Sequence, residues 1–181
     1  MVLVPGMCLT KDPMGDNATG RLGAALLLFL AMLSGAPCGA LAGESGLPVP
    51  RFASIRAEEV NLRNGPGTSY PVEWVLTRPG WPVEVIAEYE HWRRVRDVDG
   101  TVGWVHQTML SGRRTALVTG GIRTVRAEPA PEADPVLRAE PGVMAELLAC
   151  IPGWCRVEIA GRRGWIERTA IFGVLEGETF D

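Results

Sequence analysis

"WRRVRDVDGTVGWVHQTML", Trp92 to Leu110, and "WCRVEIAGRRGWIERTAI", Trp154 to Ile171, are two versions of one sentence. Each opens on a tryptophan, alternates apolar with charged residues, passes a glycine turn and returns through a Gly-Trp-aliphatic triplet. Alternation of period two is the mark of a half-buried strand, because successive side chains point to opposite faces. The stretch therefore reads as a β-hairpin, written twice. Asp99-Gly100 is its turn signal in the first version, and a two-residue type I′ turn is expected there, since that turn needs positive φ at both central positions.

Working outward, the two halves stay in register. Leu62-Arg63 recurs as Val125-Arg126, Pro79-Gly80 as Pro141-Gly142, Trp92 as Trp154, and Gly103-Trp104-Val105 as Gly164-Trp165-Ile166. The offset drifts from 63 to 61 residues, the drift that changes in loop length produce in a repeated fold. A helical period never establishes itself. Short Val-, Ile- and Trp-rich runs separated by turn residues instead place strands at 59–63, 73–76, 82–89, 91–96 and 101–106. In 82–89, Val83, Val85 and Ala87 alternate with Glu84, Ile86 and Glu88, so one face is expected to be buried. The expectation is an all-β chain of two tandem small barrels, about five strands each, over 52–118 and 119–175. Residues 43–51 are read as a linker and 176–181 as a tail. Copies of this size sit near the lower limit for independent cores.

Ahead of the repeats, Arg21 precedes an apolar run from Leu22 to Leu33, and small residues lead to Ala40-Leu41-Ala42. That is the plan of a secretory signal peptide over 1–42 with cleavage after Ala42. The run falls short of the roughly 20 apolar residues that cross a bilayer, so no stable span is expected after cleavage. The stretch before Arg21 is long and irregular for a signal's basic region, which leaves Met14 beside Met1 as an alternative translation start. Cleavage discards Cys8 and Cys38 and leaves Cys150 and Cys155 in "CIPGWC". In an oxidising compartment a pair flanking a Pro-Gly turn reads as a disulfide between neighbouring strands. This reading outweighs redox catalysis, which favours C-x-x-C, and metal binding, which needs more ligands.

The net charge is −3, and Lys11 is the only lysine. A nucleic-acid binder would show a basic stripe. Arg93, Arg94 and Arg96 cluster, but among Glu88, Glu90, Asp97 and Asp99, and are read as a mixed, solvated strand face. His91 and His106 have no cysteine or serine partner in a catalytic pattern and are read as solvated strand residues. No catalytic, metal or cofactor site is expected.

With "VNLRNGPGTSYPVEWVLTRPGWPVEVIAEYEHWRRVRDVDGTVGWVHQTML" in view, the chain resembles the bacterial SH3-like (SH3b) domain family. The second copy keeps "WCRVEIAGRRGWI" but carries "TVRAEPAPEADP" where the first has its opening motif. The resemblance implies five-stranded, strongly bent barrels without catalytic residues. It also implies export, to the periplasm or cell envelope, and a binding role beside cell-wall hydrolases. The partner it implies is a cell-wall peptide or an envelope protein. Asn61 and Arg63 stand at the family's N-x-R positions, where their side chains can hold the following loop through its backbone. Gly65 and Gly67 are read as supplying positive φ to that loop. Tyr70, Trp74 and Trp81, with Asn64 and Thr68, are the candidate ligand groove, because exposed rings give much contact area at small entropic cost. For Trp74, groove and barrel cover stand level. Trp92, Trp104, Trp154 and Trp165, with Gly103 and Gly164, are read as structural: repeated across diverged copies, the tryptophans are expected in the core. The second copy has Ala133 or its neighbour where the first has Tyr70, and so is not expected to share its ligand.

Overall fold

The computed structural model describes residues 44–181. The expected leader, with Met14, Cys8 and Cys38, lies outside the described residues. Among the described residues no α-helix occurs and none is long and apolar enough to cross a membrane. Strands form two seven-stranded sheets. The first contains β1 (Arg51–Ile55), β2 (Val60–Arg63), β3 (Val72–Leu76), β4 (Pro82–Tyr89), β5 (Trp92–Arg96), β6 (Val102–His106) and β7 (Leu110–Ser111), in the order β3-β2-β6-β5-β4-β1-β7. The second contains β8 (Thr115–Val118), β9 (Arg123–Arg126), β10 (Pro135–Ala139), β11 (Met144–Ile151), β12 (Trp154–Ile159), β13 (Arg162–Glu167) and β14 (Ile171–Phe172). Its order, β10-β9-β13-β12-β11-β8-β14, is the first order repeated strand for strand.

The five strands expected in the first copy are β2 to β6; the sheet has two more. β1 and β7 are short and pair with each other, Ser54 opposite Ser111 and Ile55 opposite Leu110, while β1 also pairs with β4. Neither carries enough alternation to be seen alone. The same blind spot misplaces β8: Thr115–Val118, grouped above with the first copy, pairs with β11 and β14 in the second sheet.

Each sheet encloses its own core. In the first, Ile55, Val60, Leu62, Val83, Val85, Val95 and Val105 form one buried cluster drawn from β1, β2, β4, β5 and β6. A sheet whose strands all feed one cluster must curl, and a bulge helps it. The register shifts between Val85 and Ala87 in β4, and between Leu147 and Ala149 at the matching place in β11. Val83 and Val85 are buried as expected, but so is Glu84 on the face expected to be exposed, and past the bulge Ala87 is only half-buried. These cores are largely aliphatic, and the four repeated tryptophans are not in them. On β6 it is Gly103 and Val105 that point inward, leaving Trp104 half-buried on the other face; Trp92, Trp154 and Trp165 are likewise half-buried. The glycine faces in because a Cβ on Gly103 would stand 2.4 Å from Leu62 Cγ, and one on Gly164 would stand 2.6 Å from Val125 Cγ1.

The hairpin turn also differs from expectation. Asp97 O accepts from Gly100 N (3.2 Å), Asp97 N donates to Thr101 O (3.0 Å), and Gly100 alone in the turn has positive φ. That is a type I turn closed by a left-handed glycine, not a two-residue type I′ turn. Asp97 selects it: its Oδ1 accepts from the N–H groups of Asp99 (3.0 Å) and Thr101 (2.8 Å). The two-residue hairpin occurs in the second copy, at Ala160-Gly161, with φ of 50° and 77°.

Arg93 is another correction. On β5 residues 93 and 95 face in, so Arg93 is only 5% exposed, whereas Arg94 and Arg96 face out. The buried guanidinium is fully engaged, as a buried charge must be. Nε pairs with Glu88 (3.0 Å), Nη1 donates to the carbonyls of Glu90 and Trp92, and Nη2 to Gln107 Oε1 (2.7 Å). Glu88, its side chain 1% exposed, also accepts from Arg51 (2.6 Å) and from the N–H and hydroxyl of Ser45 (both 2.8 Å). Residues 44–51, read as a linker, are thus tied to the first copy.

Cys150 and Cys155 stand opposite each other on β11 and β12 and form a disulfide. Cys150 N donates to Phe180 O (2.7 Å) and Phe180 N to Cys150 O (3.1 Å), so the disulfide joins a pair that exchanges no backbone hydrogen bonds. In such a pair the side chains lie close. Phe180 belongs to the expected tail, which instead docks: Glu178 pairs with Arg114 (2.6 Å), whose guanidinium lies over the Phe180 ring, and Arg168 reaches Leu175 O (2.7 Å).

The copies meet at a polar seam. Thr115 Oγ1 lies 2.6 Å from Gly80 O and 2.7 Å from Ser54 Oγ, which lies 2.5 Å from Arg113 O. Phe52 and Phe172 close it edge to face, ring centroids 5.0 Å apart.

Candidate functional site

In the first copy, the loop between β2 and β3 is built around one arginine. Arg63 Nη1 donates to Thr68 O (3.1 Å) and Tyr70 O (2.7 Å), gathering the loop over the end of its own strand. Within the loop Asn64 N donates to Pro71 O (3.3 Å) and Gly67 N to Gly65 O (3.0 Å). The glycines do not act by positive φ, as neither Gly65 nor Gly67 has it. Gly65 makes room: a Cβ there would lie 2.2 Å from Tyr70 Cδ1, and one at Gly67 would lie 3.2 Å from Cδ2. Tyr70 is therefore the brace of the loop, with one face of its ring against the backbone and 45% of the residue exposed.

The five residues expected to share a groove are dispersed. Thr68 lines a cleft of about 320 Å³ with Glu59, Asn61, Arg63, Trp92, His106 and Met109. Trp81 lies in a different cleft, packed on the aliphatic core with the Arg78 guanidinium 5.0 Å above its ring. Trp74 stands on β3, the outermost strand, 60% exposed, between exposed Val72 and Val75. Asn64 contributes its backbone to the loop. Asn61, expected to hold the loop beside Arg63, faces the cleft.

The aromatic element of the first cleft is Trp92, one of the four repeated tryptophans expected in the core. Its ring meets His106 edge to face at 5.4 Å. His106 is oriented from behind: its Nδ1 is 2.8 Å from Thr108 Oγ1, at the start of the 3-10 turn Gln107–Met109 that carries Met109 to the cleft. His91 is held by Gln107, Nδ1 to Nε2 at 3.2 Å, and its ring centroid is 6.1 Å from that of His106. A tryptophan, a methionine, an imidazole, an amide, a hydroxyl and one charge of each sign converge here, a set suited to a ligand with both apolar and amide surface. Trp92 could have been placed from its spacing: it stands three residues before the apolar, buried Val95, an odd separation that puts the two on opposite faces of β5.

The second copy supplies an internal comparison. Arg126 Nη1 donates to Ala133 O at 2.7 Å, the same contact that Arg63 makes with Tyr70 O, which aligns Ala133 with Tyr70. The cleft at the same place is about 160 Å³ and lined by Ile122, Thr124, Arg126, Glu167 and Ala170 among others. The arginine that shapes the loop is kept; the methionine and imidazole are replaced, and Trp154 does not line it. Among the described residues no cluster of three or more His, Cys, Asp or Glu side chains is arranged for a metal ion, and both cysteines are in the disulfide.

Comparison with known proteins follows this duplication. The family model for the bacterial SH3 domain matches twice, over residues 56–112 and 121–173. No curated protein sequence matches the chain. Among solved structures, NlpC2 from Trichomonas vaginalis is 13% identical with a TM-score of 0.33, over 71% of this chain and 50% of that one. An NlpC/P60 family protein from Bacillus cereus is 15% identical with a TM-score of 0.31, over 67% of this chain and 55% of that one. The chain thus spans about half the length of those proteins, and likenesses this distant carry no argument about activity. One matched segment falls in each repeated sheet, spanning β2 to β7 and β9 to β14 and leaving β1 and β8 outside, and the chain belongs to the bacterial SH3 domain family as a tandem pair.

Proposed function

We propose that the protein is an exported, non-catalytic binding module that engages a cell-wall peptide, or an envelope protein presenting such a segment, through the first copy. The observation that carries this reading is the asymmetry of the two clefts. Both copies keep the arginine-held loop that the fold needs, but only the first surrounds it with Trp92, His106, Met109, Asn61 and Thr68. Asn61, Thr68, His106 and Met109 stand where the folded twin has Thr124, Pro131, Glu167 and Ala170, so the shared architecture does not require them, which leaves recognition as their role; Trp92, repeated as Trp154, lines the cleft only in the first copy. Tyr70 acts in this reading by bracing the loop that bears Thr68. Export to the periplasm or cell envelope rests on the leader sequence, and N-terminal sequencing of the secreted protein, expected to begin at Gly43, tests it.

Cosedimentation with purified peptidoglycan tests the binding. Asn61→Ala with Thr68→Ala in one variant is expected to reduce the bound fraction several-fold without lowering the unfolding midpoint, since both side chains are exposed. Equal sedimentation of variant and parent would remove the cleft from the reading. A second reading, contact with a protein partner alone, is favoured by the exposed apolar edge of β3, where Val72, Trp74 and Val75 flank unpaired backbone groups. Trp74→Ala is neutral for wall binding under the first reading and abolishes partner retention under the second.

A further inference from the structure

A second cleft of the first copy, about 290 Å³, shares no residue with the one above. It forms where Val75, Leu76 and Arg78 meet Trp81 and the hairpin turn bearing Asp97 and Asp99. Trp81 is half-buried against the aliphatic core, and a guanidinium lies over its ring at 5.0 Å. That guanidinium belongs to Arg78, an exposed residue for which no side-chain hydrogen bond or ion pair is formed among the described residues. The two aspartates differ. Asp97 is fixed by the N–H groups it accepts from Asp99 and Thr101, whereas Asp99 is exposed and its carboxylate is free to turn to a ligand. With Arg78 counted, the cleft carries a net negative charge beside an electron-rich ring, and Val75 and Leu76 give an apolar wall.

None of this is needed to build the fold, as the second copy shows. It keeps the Pro-Gly turn at Pro141-Gly142 but has Glu140 where the first copy has Arg78, and Val143 where it has Trp81. In place of the turn from Asp97 to Gly100 it has the two-residue turn at Ala160-Gly161. The ring, the carboxylates and the stacked cation are absent together.

We propose that this cleft is a binding site for an alkylammonium group, as borne by a lysine-type side chain of a peptide. The ammonium lies over Trp81 and against Asp99, the methylenes lie along Val75 and Leu76, and Arg78 is the internal cation that it displaces. A ring quadrupole and carboxylates both attract a cation, and an apolar wall holds its alkyl stem. The site stands independently of the first cleft, since a peptide that bound only there would leave the indole of Trp81 unperturbed.

The test is an NMR titration of the protein with Nα-acetyl-lysine methylamide, following the six indole N–H signals, with Nα-acetyl-norleucine methylamide as the uncharged control. The expected result is a saturable shift of the Trp81 signal with the lysine compound alone, weakened by added salt. Arg78→Gln, which removes the competing cation, is expected to tighten binding about two- to fivefold, and Asp99→Asn to weaken it by a similar factor. Trp81→Val, the residue its own twin carries, is expected to abolish it. Equal response to the norleucine compound, or unchanged affinity in both Arg78→Gln and Asp99→Asn, overturns the proposal. Because those two residues are exposed, the test does not depend on Trp81→Val folding.

Discussion

Gly65 and Tyr70 form a single structural unit. A methyl group at residue 65 would enter the tyrosine ring, and the ring cannot retreat while Arg63 holds the carbonyl of the same residue. Gly65→Ala is therefore expected to destabilise the first copy by about 1–3 kcal/mol, the usual range for overpacking, with the loss largely recovered in the double variant with Tyr70→Ala. Urea unfolding of the four proteins in that cycle checks it; an additive cycle would show that the two residues do not act on each other. Glu88 is the second decisive residue. Burial pushes its carboxyl up, but the N–H and hydroxyl of Ser45 and the Arg51 guanidinium more than offset this and hold it below its ordinary 4.5. A carboxyl depressed in the folded state contributes stability above the unfolded-state value and loses it as pH falls through the folded one. The protein is thus expected to lose stability below about pH 4.5, and Glu88→Gln to flatten that loss while lowering stability at neutral pH. The urea midpoint followed across this window measures both. At this scale the sequence is only half legible. Arg63 can be placed through the family resemblance, whose N-x-R positions imply a side chain holding the loop, though Asn61 of the same motif faces the cleft instead; the inward turn of Arg93 depends on which residue of β5 meets Val85, and that is a matter of pairing, not composition.

Among the elements, the β11–β12 hairpin and the docked C-terminal segment depend on each other. Cys150 is joined to β12 by its sulfur and to Phe180 by its backbone. Replacing both cysteines by serine is expected to cost on the order of 2 kcal/mol, modest because the closed loop is short. If the free cysteines instead leave the unfolding midpoint unchanged after reduction, the staple has no role. Glu178, which pairs with Arg114, is a second acid-sensitive point. Burial raises its carboxyl, and hydrogen bonds from Arg114 and Leu175 N–H, with the charges of Arg114 and Arg168, bring it below 4.5. The segment is expected to come free as pH falls below that value, and the protection of the Cys150 and Phe180 amides relative to their intrinsic exchange rates should fall in the same window, whereas in Glu178→Gln it should already be low at neutral pH. Hairpins are the most legible elements because alternation survives in each strand. β1, β7, β8 and β14 are not: strands of two to five residues are fixed by partners some thirty to sixty residues away, so a short window holds no trace of them. The turn at Asp97 escapes sequence reading for a related reason, since an Asp-Gly pair fits two turn types and the aspartate two residues earlier decides between them.

For the whole molecule, the seam makes the tandem pair more than two beads on a string. Only three residues separate β7 from β8, and the hydroxyls of Ser54 and Thr115 offer two protons to three short oxygen contacts, so the seam tolerates little displacement. Thr115→Val strands Gly80 O and leaves Ser54 one partner fewer. It is expected to cost about 1–3 kcal/mol and to split a single thermal transition into two. A calorimetric trace with two peaks in the parent protein would show the copies to be independent. The duplication itself is readable from registered residues alone, whereas the seam is not, because it joins residues that have no common pattern.

The anchoring of residues 44–51 has a mechanical side. Tension applied to the chain ahead of Glu44 is met first by the Glu44 carboxylate, which accepts from Glu90 N–H, and by the clip of Ser45 and Arg51 on Glu88, and only after these yield does it reach the ladder between β1 and β4. A cluster of three or four polar contacts gives way at lower load than a paired strand and re-forms when the load is removed. In a single-molecule pulling experiment the first copy should therefore lengthen by a few residues at low force and recover reversibly, well before either sheet opens, so that the clip behaves as a strain relief for the module it fastens.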